Sequence, residues 1–267
     1  MRTAIPWELI LVDNGSTDAT KDAIHSFVSS SGIACRTVFE PQRGLSRARN
    51  RGWLVADGQV VGFTDDDCYP DQDYVTELWT AFADPQTGYL GGRVLLYDPG
   101  DYPITVQDCA EHTEIPQGSF IPAGFIHGAN MAARKTVLQA VGGFDEMLGA
   151  GTLLPAEDVD FLSRASAAGF RGAYDPRPTV HHHHGRREAG DIRRLRRSYD
   201  LGRGAYYVKG LLDPTRRRTI TRGWLALFHG GSSRTTFFEI VGALHYLGQL
   251  LQRRLTPKAQ SRSTNEG

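Results

Sequence analysis

Residues 7–12, Trp-Glu-Leu-Ile-Leu-Val, form a nearly continuous apolar run that ends in Asp13-Asn14-Gly15-Ser16-Thr17-Asp18. That sequence predicts a buried strand, a polar turn and then a helix over residues 19–29. A second short strand follows at residues 35–39, and residues 45–56 have helical spacing with Arg47, Arg49 and Arg51 interspersed. The apolar run 60–64 then reads as another buried strand, closed by Asp65-Asp66-Asp67. Connections this short predict β-α-β-α-β units in a parallel sheet, with the three carboxylates at a strand's C-terminal edge, where open α/β sheets place their ligand crevices.

Further along, the pattern predicts a helix over 74–83, a strand over 88–96, and helices over 134–141 and 155–168, each of the last two stopped by glycine. Residues 98–127 are irregular, suited to a loop over a site or to a surface excursion. Residues 172–184 return as extended chain, arginine-rich helical segments begin near 191, and 236–251 has an amphipathic period. The organisation expected is a catalytic unit over 1–185, a basic helical extension over 186–255 and a disordered tail over 256–267.

Composition bounds the function. With 267 residues, 40% of them apolar and 10% aromatic, the chain can bury one sizeable core. Three widely spaced cysteines, Cys35, Cys68 and Cys109, argue against a disulfide framework and for a reducing compartment. With no leader-like start and no spanning apolar stretch, the reading is a cytoplasmic protein. The net charge of zero hides an asymmetry: residues 1–185 hold 13 Lys/Arg against 24 Asp/Glu, a balance of −11, and residues 186–267 hold 17 against 6, a balance of +11. An acidic body does not suit nucleic acid, whereas the basic end suits a peripheral position on the anionic inner face of the plasma membrane.

Three adjacent carboxylates repel one another, and a divalent cation with oxygen ligands would relieve them; a solvated acidic loop is the simpler alternative. The run His181-His182-His183-His184 supplies imidazoles. If the strand through Thr179-Val180 continues, His182 and His184 share the face of Val180, which makes His182 the first choice of ligand and His184 the second. Aspartate oxygens with one imidazole suit Mn²⁺ or Mg²⁺ better than structural zinc. Glu157-Asp158-Val159-Asp160 opens a helix, where acidic residues either complement its dipole or hold a base facing a cleft. Asp13 either accepts hydrogen bonds from a base or ribose or caps its own turn. Arg43, Arg47 and Arg49 either hold phosphates or are solvated.

Six motifs occur in order: Leu-Ile-Leu-Val-Asp-Asn-Gly-Ser-Thr-Asp (9–18), Gly-Leu-Ser-Arg-Ala-Arg-Asn-Arg-Gly (44–52), Phe-Thr-Asp-Asp-Asp (63–67), Gly-Ala-Asn-Met (128–131), Gly-Gly-Phe-Asp-Glu (142–146) and Ala-Glu-Asp-Val-Asp-Phe (156–161). Together they resemble the family 2 glycosyltransferases over residues 7–185. The resemblance implies a GT-A type α/β/α sandwich with a mostly parallel, Rossmann-like sheet and a C-terminal helical extension. It implies metal-dependent, inverting transfer of a sugar from a nucleoside-diphosphate donor to a glycan, lipid-linked or small-molecule acceptor. Asp13, with Asn14 and Ser16, falls where the family contacts the donor; Arg43, Arg49 and Asn130 are carried to the donor site in the same way. Asp65 or Asp66 would lie near the ribose, Asp67 on the metal together with Asp65, and His182 near the later metal-binding histidine. Glu157-Asp158 matches the pair that carries the catalytic carboxylate, and Asp158 is the expected base.

The sequence departs from the family pattern at its start, where a further strand and helix normally precede the segment equivalent to Trp7. The expectation is that the reading frame upstream supplies them. The competing readings are a catalytically impaired nucleotide-sugar-binding module and a metal-dependent phosphohydrolase.

Overall fold

The computed structural model describes residues 3–228 and 233–255; the tail from residue 256 lies outside them. Strand β1 (Leu9–Asp13), helix α1 (Thr20–Ser30), β2 (Cys35–Phe39), α2 (Leu45–Val55) and β3 (Val60–Thr64) follow the predicted alternation, and a short strand that the pattern did not predict, β4 (Cys68–Pro70), precedes the expected helix α3 (Tyr74–Ala81). Then come β5 (Thr87–Leu96), β6 (Thr113–Ile115), β7 (Asn130–Arg134), α4 (Lys135–Val141), α5 (Glu157–Ala167) and β8 (Arg171–His182). Helices α6 (Ala189–Leu212), α7 (Arg217–Phe228) and α8 (Ser233–Leu255) complete the described chain.

The sheet is mixed, which corrects the expectation of a mostly parallel one. β1 pairs with β2 and β5 with β8 in parallel, but β3–β7, β5–β7, β4–β8 and β6–β8 are antiparallel. β7 was hidden in the pattern because Asn130-Met131-Ala132-Ala133-Arg134 carries no β-branched residue. Its small side chains suit a central strand: Ala132 and Ala133 are buried between β3 and β5.

The order β3-β7-β5-β8-β4 leaves β1 and β2 as a separate ribbon. β1 uses one edge for β2 and β3 uses one edge for β7, so each strand keeps an unpaired edge among the described residues. Residues of both strands line the same cleft. Among the described residues the sheet is therefore interrupted by a seam between β1 and β3.

One core joins the sheet to the C-terminal helices. Phe63, Tyr89, Phe161 and Leu162 pack in one cluster with Tyr206 and Tyr207 of α6 and Ile220 of α7. Helices α6 and α8 approach until backbones meet: a Cβ on Gly204 would stand 1.8 Å from Glu239 O, and one on Gly242 1.9 Å from Leu201 O. Only glycine permits that spacing. Below the crossing, Asp160 of α5 is fully buried and receives Arg164 Nε (2.8 Å), Lys209 Nζ (2.7 Å) and Arg216 Nη1 (3.0 Å). Burial alone would raise this carboxyl, but the three cations outweigh it and hold it well below the usual carboxylate range.

The amphipathic period of α8 is divided between two surroundings. Gly242 and Tyr246 face inward, while Phe237, Ile240, Val241, Leu244, Leu251 and Leu255 are exposed. No helix among the described residues is long and apolar enough to cross a membrane.

Candidate active site

A cleft of about 1610 Å³ runs from the seam to the N-terminus of α5 and is walled on the far side by α6. The polar side chains reaching it include Asp65, Asp66 and Asp67 after β3, Glu157 and Asp158 at the start of α5, His182 at the end of β8, and Tyr199 of α6. The aspartate triplet thus sits at a strand's C-terminal end, as expected.

The three aspartates have different fates. Asp65 Oδ1 lies 3.2 Å from Arg49 Nη2. Asp66 is exposed at the cleft's rim. Asp67 Oδ2 lies 3.2 Å from His182 Nε2, because β4 pairs with β8 in the register that sets Cys68 opposite His182. The hydrogen bond to His182 holds the Asp67 carboxyl low. Burial would lower the His182 imidazole, but Asp67 outweighs it and the net direction is up. Thr105 Oγ1, 3.2 Å from His182 Nδ1, orients the ring from behind.

Asp67, Cys68 and His182 present ligand atoms all within 4.8 Å of one another. The Cys68 thiol is pushed up to about 12 by burial and by Asp65 and Asp67, so it stays protonated and offers no thiolate. What remains is a carboxylate and an imidazole, a donor pair that fits Mn²⁺ or Mg²⁺.

His184 is spent elsewhere. Its ring is wholly buried, Nδ1 accepts from Arg186 N (3.0 Å), and Nε2 lies 3.1 Å from Tyr102 O. The strand ends at His182, so the period-two argument that carried His184 to the same face stops applying there.

Arg49 is the least expected element. Sequence reasoning left its helix to solvent or phosphate, yet the side chain is buried among Glu157 Oε1 (2.9 Å), Asp65 Oδ1 (3.2 Å) and Gly128 O (3.0 Å). Burial opposes its charge, but Glu157, then Asp65 and Asp158, hold it protonated. Glu157 is pushed up to about 7 by burial and by Asp158 next to it, with Arg49 pulling the other way. Asp158 has no such cation: its Oδ2 accepts from Gly128 N (3.0 Å) and its Oδ1 from Val159 N (2.7 Å). These backbone donors fix a half-buried carboxylate toward the cleft, with His127 and Tyr199 nearby. Burial lowers His127, so it stays neutral beside Asp158. Burial and Asp158 push Tyr199 up to about 12. Neither residue was flagged from the sequence, although His127 directly precedes Gly-Ala-Asn-Met.

Other expected donor contacts are used for construction. Asp13 Oδ1 accepts from Ser16 N (2.9 Å), capping its turn, and Ser16 is exposed away from the cleft lining. Asn14 bridges to Glu40 O (3.1 Å), Gln42 O (2.7 Å) and Gly44 N (2.8 Å), tying β1 to the loop before α2. Asn130 does not reach the cleft: its Nδ2 donates to Arg93 O and Pro178 O, and its Oδ1 accepts from Tyr74 Oη (3.1 Å). Arg43 does line the cleft, and among the described residues its side chain makes a 3.4 Å contact to Gly15 O.

Residues 2–142 match the family described as Glycosyl transferase family 2. The chain is 29% identical over 149 residues to the pre-mycofactocin glycosyltransferase of Mycobacterium tuberculosis, covering 53% of this chain and 30% of that protein's length. It is 27% identical over 254 residues to glycosyltransferase AglE of Haloferax volcanii, covering 92% of this chain and 75% of that one. Among solved structures, the mannosyltransferase PcManGT from Pyrobaculum calidifontis, in complex with GDP-Man and Mn²⁺, superposes with a TM-score of 0.57 at 20% identity, covering 92% of this chain and 73% of that one. This likeness is one of fold, the GT-A fold.

Proposed function

The chain belongs to glycosyl transferase family 2, and from that premise we propose that it transfers a sugar from a nucleoside-diphosphate donor to an acceptor hydroxyl with inversion, using Asp158 as the base. The observation that carries this reading is the division of labour between two adjacent carboxylates. Glu157 is bound up with Arg49, whereas Asp158 is held by backbone N–H groups alone and lines the cleft shared with Asp67 and His182. A base needs a fixed position and a free lone pair, and Asp158 has both.

In this reading the acceptor hydroxyl lies against Asp158, which takes its proton as the oxygen attacks the anomeric carbon. The bond from that carbon to the phosphate oxygen breaks, and the nucleoside diphosphate departs from the opposite face. A divalent cation between Asp67 and His182 would supply charge to offset the departing diphosphate. Asp65, tethered by Arg49, is the carboxylate available to the ribose, and exposed Asp66 is its alternative. Leu195, Ser198, Tyr199 and Arg203 of α6 line the same cleft as Asp158, which in this reading makes α6 part of the acceptor side.

We read the acceptor as a glycan or a lipid-linked glycan met at a membrane surface on the cytoplasmic side. Support comes from the exposed apolar stripe of α8 together with exposed Arg193, Arg194, Arg196 and Arg197 on α6. The donor is identified by incubating the protein with UDP-, GDP-, CDP- and dTDP-sugars and Mn²⁺ and measuring release of the nucleoside diphosphate. Release from one nucleotide class above the protein-free rate is expected; none from any donor, with or without acceptor extracts, would overturn the reading.

A further inference from the structure

Helix α2 does not supply the phosphate cations that its arginines suggest. Arg47 Nη1 is 2.7 Å from Glu146 Oε2, and Arg49 is enclosed by Glu157, Asp65 and Gly128 O. Both guanidinium groups are committed to acceptors within the protein. Besides Arg43, a further cation faces the cleft from the segment that joins β8 to α6.

Arg186 is fixed there from both sides of its backbone. Its N–H donates to His184 Nδ1 (3.0 Å), and its carbonyl accepts from Tyr102 N (2.9 Å). The His184 ring, fully buried and also 3.1 Å from Tyr102 O, anchors the same segment. This explains the use made of the fourth histidine: it holds the residue two positions on. The Arg186 side chain then reaches the cleft that contains Asp67, His182, Asp158 and Tyr199.

The guanidinium is incompletely satisfied. Nη1 of Arg186 is closed from solvent and has no hydrogen-bond partner. No carboxylate among the described residues lies within ion-pair distance of it. A buried charged donor without an acceptor is costly, and in native proteins such a group generally has a reason. Its charge is felt at Asp67 and at Tyr199, where it opposes the effect of Asp158.

We propose that Arg186 binds the diphosphate of a nucleoside diphosphate in this cleft, its guanidinium donating to a phosphate oxygen. The assignment rests on the nucleotide-sugar reading above. A planar guanidinium fork matches a phosphate's paired oxygens, and its charge is permanent, so the contact persists as negative charge gathers on the leaving group. The geometry gives Arg186 a binding and positioning role; it accepts and releases no proton.

The test compares binding of UDP, GDP, CDP and dTDP with binding of the corresponding nucleosides, by calorimetry and ligand-observed NMR, each in EDTA and in Mn²⁺. Wild type, Arg186→Gln and Arg186→Lys are measured, with thermal unfolding as the check on folding. In Arg186→Gln, the diphosphate that wild type prefers should bind roughly ten- to a hundredfold more weakly. Its nucleoside should bind unchanged, and the loss should persist in EDTA. Arg186→Lys, which keeps the charge without the fork, should fall between the two and remains informative if the glutamine variant does not fold. Diphosphate affinity equal to wild type in either variant would overturn the proposal while leaving the nucleotide-sugar reading intact. Failure of wild type to bind any nucleoside diphosphate would overturn both.

Discussion

Arg49 Nη1 lies 2.9 Å from Glu157 Oε1, joining α2 to the first turn of α5 across 108 residues of chain. The contact sets the roles of two neighbouring acids. Glu157 is drawn into the protein by a buried cation that also holds Asp65, and Asp158 is left to face the cleft. A buried ion pair of this kind fixes geometry more surely than it adds stability.

The pair has a pH signature. The ordinary glutamate value is 4.5 and the folded value of Glu157 is about 7, so the native state holds a proton that the unfolded chain has lost between those limits. Stability contributed through this group therefore falls as pH rises from 4.5 to about 7 and levels off above. Thermal unfolding scanned across that window should show a smaller decline in Glu157→Gln than in wild type. Parallel profiles for the two proteins would contradict the assignment.

Asp160 binds the C-terminal helices to the helix that carries the candidate base. Asp160→Asn leaves Arg164, Lys209 and Arg216 around a neutral side chain, and should cost about 3–5 kcal/mol in urea unfolding. Because the folded carboxyl is held low, its contribution is present above the ordinary value of 3.8 and is lost as pH falls below it. The difference between variant and wild type should accordingly shrink in acid; a difference that stays constant down to pH 3 would count against this network.

The seam predicts uneven protection from hydrogen exchange. Amides on the unpaired edges of β1 and β3 should exchange faster than those of β7 and β5, which are paired on both sides. Equal protection across β1, β3 and β7 would mean that the seam is closed in solution.

The stripe on α8 predicts membrane association that depends on charge. The protein should float with liposomes containing anionic lipid and less with neutral ones, and Phe237→Ser with Leu244→Ser should abolish flotation without lowering the unfolding temperature, since both side chains are exposed. Equal recovery of variant and wild type would exclude the stripe as the contact.

Much of the catalytic body was legible from residue pattern. Strands β2 and β3 fall on the segments read as strands, and the strand through Thr179-Val180 continues to His182 as its alternation assumed, whereas the closeness of His182 to Asp67 comes from the β4–β8 register. Three features resisted reading for physical reasons. β7 is built of small residues chosen for tight packing between strands, which leaves no strand propensity to detect. Arg49 sits on a helix at ordinary spacing, and its burial depends on acids 16 and 108 residues away. Arg186 gave no signal because its importance comes from a missing partner, which only three-dimensional neighbours can reveal.

The most direct measurement of the central claim is the turnover of Asp158→Asn with the identified donor and acceptor. The substitution keeps shape and can retain the hydrogen bond from Gly128 N, so donor affinity should change little. Turnover should fall by about 10²- to 10⁴-fold, the range typical of a lost general base. Turnover within about twofold of wild type, far short of a general base's usual contribution, would contradict the assignment of Asp158 as the base.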